Sequence, residues 1–172
     1  MSDAPGFSSQ MAIERFLRAS QGEPFQDGEL LPFHLPECYG CGPENESGLH
    51  LSVRAAPENA VAGEYTFTRR LGGAPGVAHG GAVAALLDDL FGFVLVRILV
   101  PAVTRDLQVR YRRPVHLHTP CALSARLVGR EGREVHMAGE LRQEGQVKAA
   151  AEAVFVELEP ERLLNRYERL EP

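Results

Sequence analysis

The chain has no tryptophan, three cysteines among 172 residues, and a net charge of −5. Of its 18 basic residues only Lys148 is a lysine; the rest are arginine. A functional amine therefore has one candidate, in an alternating segment near the C-terminus. The acidic balance excludes a general electrostatic footprint for nucleic acid. Cys38, Cys41 and Cys121 cannot all pair within one chain, which points to a reducing, cytoplasmic compartment. MSDAPGFSSQ has no basic start and no apolar run, so no signal peptide is expected. Phe91 to Val96 and Ile98 to Val100 form the longest apolar stretch, split by Arg97. That is well short of the ~18 apolar residues of a membrane span. No G-x-S-x-G elbow, Walker A, H-E-x-x-H or G-x-G-x-x-G loop occurs.

The composition, 44% hydrophobic and 24% charged, suits one globular domain with one core. Residues 1–8 are small and polar, and Ser9 is a candidate cap for a short helix carrying Ile13, Phe16 and Leu17. Residues 21–36 are punctuated by Gly22, Pro24, Gly28, Pro32 and Pro36, which predicts a surface-wrapping loop. CYGCGPENESG follows, again rich in turn residues. Leu49, Leu51 and Val53, then Tyr65 and Phe67, alternate with polar neighbours and predict two strands joined at Pro57-Glu58-Asn59. GGAPGVAHGG feeds an apolar segment from Ala82 to about Leu99, too long for a strand and read as helix. Strands resume with Leu107, Val109 and Tyr111, then Leu123, Ala125 and Leu127. A turn is expected at Gly129–Gly132 and another at Glu144-Gly145, before a last strand over 147–158. Leu163, Leu164, Tyr167 and Leu170 sit at helical spacing in the tail. One helix with five or six strands reads as α+β, an antiparallel sheet packed on a single helix. A helix apolar nearly all round needs cover on every side, and a second copy of the chain supplies what one sheet does not.

The informative motif is His79-Gly80-Gly81, opening the helix that carries Asp88. A helix start offers free backbone N–H groups, and glycine lets a carbonyl oxygen approach them. Asp88 lies seven residues after Gly81, two turns on and on nearly the same face. That face reads Gly81, Ala84, Ala85, Asp88, Gly92, small residues that leave room for a ligand. A carboxylate there can serve as general base or nucleophile. The plain alternative is that the glycines only turn the chain and Asp88 makes a cap or an ion pair. Asp89 is the rival carboxylate; it is rotated by about 100°, so Asp88 is preferred, with titration of the two as a pair as the alternative.

Cys38-x-x-Cys41, flanked by His34 and His50, invites zinc, but H-x3-C-x2-C-x8-H is not a standard spacing. The expectation is a packed loop and no metal. Arg110, Arg112 and Arg113 make a basic patch suited to phosphates, or else a solvated strand edge; Arg69 and Arg70 make a second. His116, His118 and His136 show no ligand spacing and read as surface or strand residues.

CYGCGPENESGL, GVAHGGAVAALLDD and TRDLQVRYRRPV, in that order, resemble the hotdog-fold thioesterases, especially the PaaI-type acyl-CoA thioesterases. The resemblance covers about residues 38–158 and implies a sheet wrapped around one long central helix, paired into a dimer or a dimer of dimers. It divides the chain into an N-terminal tail, short helix and loop (1–37), the hotdog domain (38–160) and a C-terminal helical tail (161–172). It implies hydrolysis of an acyl-coenzyme A thioester without a metal or bound cofactor. Asp88 matches the catalytic carboxylate, Gly80 and Gly81 the glycines whose N–H groups polarise the thioester carbonyl, and His79 the histidine shaping that turn. Thr104 matches a threonine that some relatives present across the dimer interface. Strict alternation, however, puts Thr104 on the face of Gln108 and Arg110. Many relatives carry Asn six residues before the histidine, where this chain has Gly73. The competing readings are a non-catalytic acyl-CoA binding module and a hotdog-fold hydratase or dehydratase. The latter pairs an Asp with a His about five residues on, the reverse of the order here.

Overall fold

The computed structural model describes residues 24–159; the helices expected near Ser9 and after Pro160 lie outside them. Helix α1, Gly80–Ile98, runs across a six-stranded antiparallel sheet. The strands are β1 (Val53–Ala56), β2 (Ala60–Thr66), β5 (Ala102–Tyr111), β6 (Pro120–Glu131), β7 (Glu134–Gln143) and β8 (Gln146–Glu157). Their order is β1-β2-β6-β7-β8-β5. A small ribbon of β3 (Gly72–Ala74) and β4 (Val77–Ala78) leads into the helix. The α+β arrangement expected from the sequence is present.

Val83, Leu86, Leu87, Leu90, Phe91, Phe93, Val94, Leu95 and Val96 of α1 are all buried, so the helix is covered around most of its girth. Inward residues of the sheet alternate as the period-two pattern requires: Leu123 and Ala125 on β6, Val135, Met137 and Leu141 on β7, Ala149, Ala151, Ala153 and Phe155 on β8. The alanine row of β8 and Gly139 of β7 let the helix come close. A Cβ on Gly139 would sit 3.1 Å from the Phe91 ring. Helix α1 ends at Leu99 in the left-handed region (φ 59°), whose N–H reaches the carbonyls of Leu95 and Val96.

Two hairpins turn where expected. Glu58 and Asn59, and Glu144 and Gly145, have positive φ, the twist that tight two-residue hairpins need. Two details differ from the sequence reading. The β6–β7 turn lies at Gly132-Arg133, because β6 runs on to Glu131 through an irregularity between Leu127 and Gly129. Leu49 and Leu51 are buried but precede β1; their N–H groups bond to the carbonyls of Tyr39 and Gly40 (2.7 and 2.8 Å). The alternation was real, but its partner is the cysteine loop and not a neighbouring strand. The proline-punctuated loop also does more than wrap the surface: Leu31 is 4% exposed and joins the core.

Candidate functional site

His79 precedes α1 in extended conformation, and its Nδ1 accepts from the Gly81 N–H at 2.9 Å. Of the two glycine N–H groups singled out in the sequence, Gly81's is therefore taken. Gly80's has no acceptor among the described residues and points out of the first turn. His79 is fixed in turn by its own N–H, which donates to the Leu71 carbonyl (2.7 Å). Gly73 explains itself here. A Cβ on it would lie 2.8 Å from His79 Cα, so the histidine occupies the space that an Asn side chain would need.

Tyr111, at the end of β5, was not singled out in the sequence. Its hydroxyl donates to the Gly80 carbonyl at 2.7 Å, and its ring lies over Gly80. The signal was present in its shared alternation with Leu107 and Val109. Arg112 and Arg113 follow directly; their N–H groups donate to the Lys148 carbonyl, and their exposed side chains have no ion-pair partner among the described residues. Arg110 is different. It pairs with Glu152 (3.0 Å) and donates to Gln108 (2.7 Å), an ordinary strand-surface arrangement. Of the second patch, Arg70 donates to the Glu46 carbonyl.

The two adjacent carboxylates face different elements. Thr104 Oγ1 donates to Asp88 Oδ1 at 2.9 Å. The alternation that placed Thr104 on the outer face fails because β5 has a bulge. Thr104 pairs with Phe155, and Asp106 with Val154, leaving Arg105 as the extra residue. That residue shifts the phase and brings Thr104 onto the inward face of Leu107 and Val109. Burial pushes Asp88 above the usual carboxylate range, while the Thr104 hydroxyl works against that rise.

Asp89 turns instead to the loop after residue 33. Its Oδ1 is 3.2 Å from His34 Nδ1 and 3.5 Å from Cys38 Sγ. Burial again raises its carboxyl, opposed by His34. Gly92, assigned above to the Asp88 face, serves this side. A Cβ there would lie 2.6 Å from the His34 ring. His50 stands apart from the cysteines, exposed and with φ 54°. His116 and His118 are exposed, as expected. A groove of about 700 Å³ lies elsewhere, on the outer sheet face among Arg126, Val128, His136 and Glu152. No helix among the described residues is long and apolar enough to cross a membrane.

Residues 75–150, from the ribbon through α1 to the start of β8, match the Thioesterase superfamily model. Acyl-coenzyme A thioesterase THEM4 of Mus musculus is 31% identical over 96 residues, which is 55% of this chain and 41% of that protein. The chain thus spans well under half the length of this curated relative. A solved thioesterase superfamily protein superposes on 90% of this chain and 81% of its own, at 27% identity and a TM-score of 0.68. A phenylacetic acid degradation-related protein from Ralstonia eutropha JMP134 covers 60% of this chain and 82% of its own, at 26% identity and a TM-score of 0.57.

Proposed function

We propose that this chain, a hotdog-fold protein of the thioesterase superfamily, hydrolyses an acyl-coenzyme A thioester with Asp88 as its catalytic carboxylate. The observation that carries the reading is the placement of Asp88: on the small-residue face of α1, raised by burial and held by Thr104. A carboxylate with elevated proton affinity is a better base near neutral pH, either on water or as the attacking group on the carbonyl carbon. The unengaged Gly80 N–H at the positive end of the helix is the donor for the thioester oxygen as it gains charge. His79 and Gly81 keep that donor in place, and Tyr111 anchors the first turn. No metal or bound cofactor enters this chemistry.

Gly81 and Asp88 share a face but not a location. Seven residues of helix rise about 10 Å, whereas reacting groups must come within about 3 Å. One copy's Asp88 therefore acts on a carbonyl held at another copy's helix start. Strand β5 supports this. It pairs only with β8 among the described residues, and it carries Val103 and Tyr111 at 49% and 54% exposure. An edge strand with an open pairing side and exposed Val103 and Tyr111 is suited to self-association, so the assembly is a homodimer or a dimer of dimers. Arg112 and Arg113, adjacent to Tyr111, take the coenzyme A phosphates. Three free cysteines favour a reducing, cytoplasmic setting.

Release of free thiol from a panel of aliphatic and aromatic acyl-CoAs tests the activity. Asp88→Asn should lower turnover by about 10²–10⁴-fold with acyl-CoA binding retained. Tight binding without turnover by the unaltered chain would leave a binding module. Hydration of an enoyl thioester without thiol release would leave a hydratase.

A further inference from the structure

We propose that His34, Cys38, Cys41 and Asp89 form a closed four-ligand site for zinc, fastening the cysteine loop to the central helix. Their ligand atoms all lie within 4.8 Å of one another. His34 Nδ1 is 3.1 Å from Cys41 Sγ and 3.2 Å from Asp89 Oδ1, and Cys38 Sγ is 3.5 Å from Asp89 Oδ1. Tetrahedral zinc, with bonds of about 2.0–2.3 Å, sets its ligand atoms roughly 3.3–3.8 Å apart. The three observed separations are those of a tetrahedron's edges within a few tenths of an ångström. Two sulfurs, an imidazole and one carboxylate suit zinc and not magnesium or calcium.

The surroundings are built for charged sulfur. The His34 N–H donates to Cys41 Sγ at 3.2 Å. Such a second-sphere donor orients a thiolate ligand and stabilises its charge. Asp89 Oδ2 is buried with no hydrogen-bond partner among the described residues. Close packing converges on the same point: a Cβ on Gly40 would fall on the Asp89 carboxylate, and one on Gly92 would enter the His34 ring.

The spacing H-x3-C-x2-C-x8-H, with His50 as the fourth member, is not that of a standard zinc motif. The fourth ligand is Asp89, brought from 51 residues beyond Cys38 by the helix. Four protein ligands leave no open position, so the metal is structural and supplies no water to Asp88. Binding takes both sulfurs as thiolates and the imidazole in its neutral form, and releases whatever protons those groups carry.

The test uses the untagged full chain, produced with zinc and desalted under reducing conditions. Elemental analysis should find about one zinc per chain. After chelation, Co²⁺ should restore binding with a near-ultraviolet thiolate-to-cobalt band and the visible bands of a tetrahedral ion. Cys38→Ser and Cys41→Ser should abolish both, and Asp89→Asn should weaken zinc by roughly tenfold or more. Should the cysteine variants not fold, the cobalt spectrum of the unaltered chain and the Asp89→Asn affinity decide. Failure of the reduced chain to take up either metal, a cobalt spectrum without the thiolate band, or equal zinc in every variant would overturn the site. So would a Cys38–Cys41 disulfide as the form isolated from reducing cells. None of these readouts involves thioester hydrolysis, so the metal site and the proposed activity stand or fall separately.

Discussion

The Thr104–Asp88 hydrogen bond offers a quantitative test of the catalytic reading. Thr104→Val keeps the β-branched shape, and hence the strand, but removes the hydroxyl that donates to Asp88 Oδ1 at 2.9 Å. A hydrogen bond to a charged group contributes about 1.5–3 kcal/mol when buried. This one joins a half-buried carboxylate to an exposed threonine, so solvent reduces it to about 1 kcal/mol. If the bond serves to orient the carboxylate, that figure corresponds to roughly a fivefold fall in kcat, with KM little changed. The Asp88→Asn background sharpens the test. With the carboxylate gone there is nothing left to orient, and Thr104→Val should alter the residual rate by less than about twofold, a marked non-additivity. Steady-state kinetics on the four proteins, with thermal melts to confirm folding, completes the cycle. Equal factors from Thr104→Val in both backgrounds would show that the threonine acts independently of Asp88 and would refute the argument.

Two further outcomes follow from packing. Gly73→Asn, which restores the residue many relatives carry, should lower the melting temperature and leave turnover no better, because its Cβ meets His79 Cα at 2.8 Å; a gain in activity with unchanged stability would refute this. Gln143 is 1% exposed, accepts from the His116 N–H and donates to the carbonyls of His116 and Thr119, so Gln143→Leu strands buried groups at a cost of about 1–3 kcal/mol. Calorimetry should show a fall of about 2–4 °C for each of those kcal/mol.

What was legible in the sequence was what repeats with a fixed period. The apolar run after Gly81 gave the helix, and period-two alternation gave the strands and most of their buried faces. Helical spacing set Asp88 and Asp89 about 100° apart, and the two carboxylates do face different elements. What escaped depends on single irregularities or distant partners. The bulge at Arg105 inverts the facing of Thr104, yet nothing in TRDLQV marks an extra residue. The turn expected over Gly129–Gly132 falls at Gly132-Arg133, because Gly129 resembles a turn glycine but sits within a strand. Gly81 looked like a free donor because spacing does not reveal that His79 bends back to cap it. The role of Gln143 was invisible, since a buried amide and a surface amide are the same letter.

The adjacent aspartates show how one helix serves two purposes. Successive residues diverge by about 100° around the axis, so a pair of neighbouring carboxylates cannot share one environment. Asp88 meets the bulged edge strand; Asp89 meets the cysteine loop. Each contact limits rotation of α1 about its own axis, and the two together fix it from separate sides. The buried face of α1 is fitted closely, as where Phe91 meets Gly139. The polar contacts add to that fit at the helix's two polar sides. A clamp at His34, Cys38, Cys41 and Asp89 thus has a consequence one residue away: it sets the direction in which Asp88 faces β5. Loosening it through Asp89 should disturb the Thr104–Asp88 bond even where the fold survives. Asp89→Asn should therefore lower turnover, by no more than the roughly fivefold of Thr104→Val if its whole effect passes through that bond. A loss as deep as that of Asp88→Asn would instead place Asp89 in the chemistry itself and undo the division of roles argued from helical geometry.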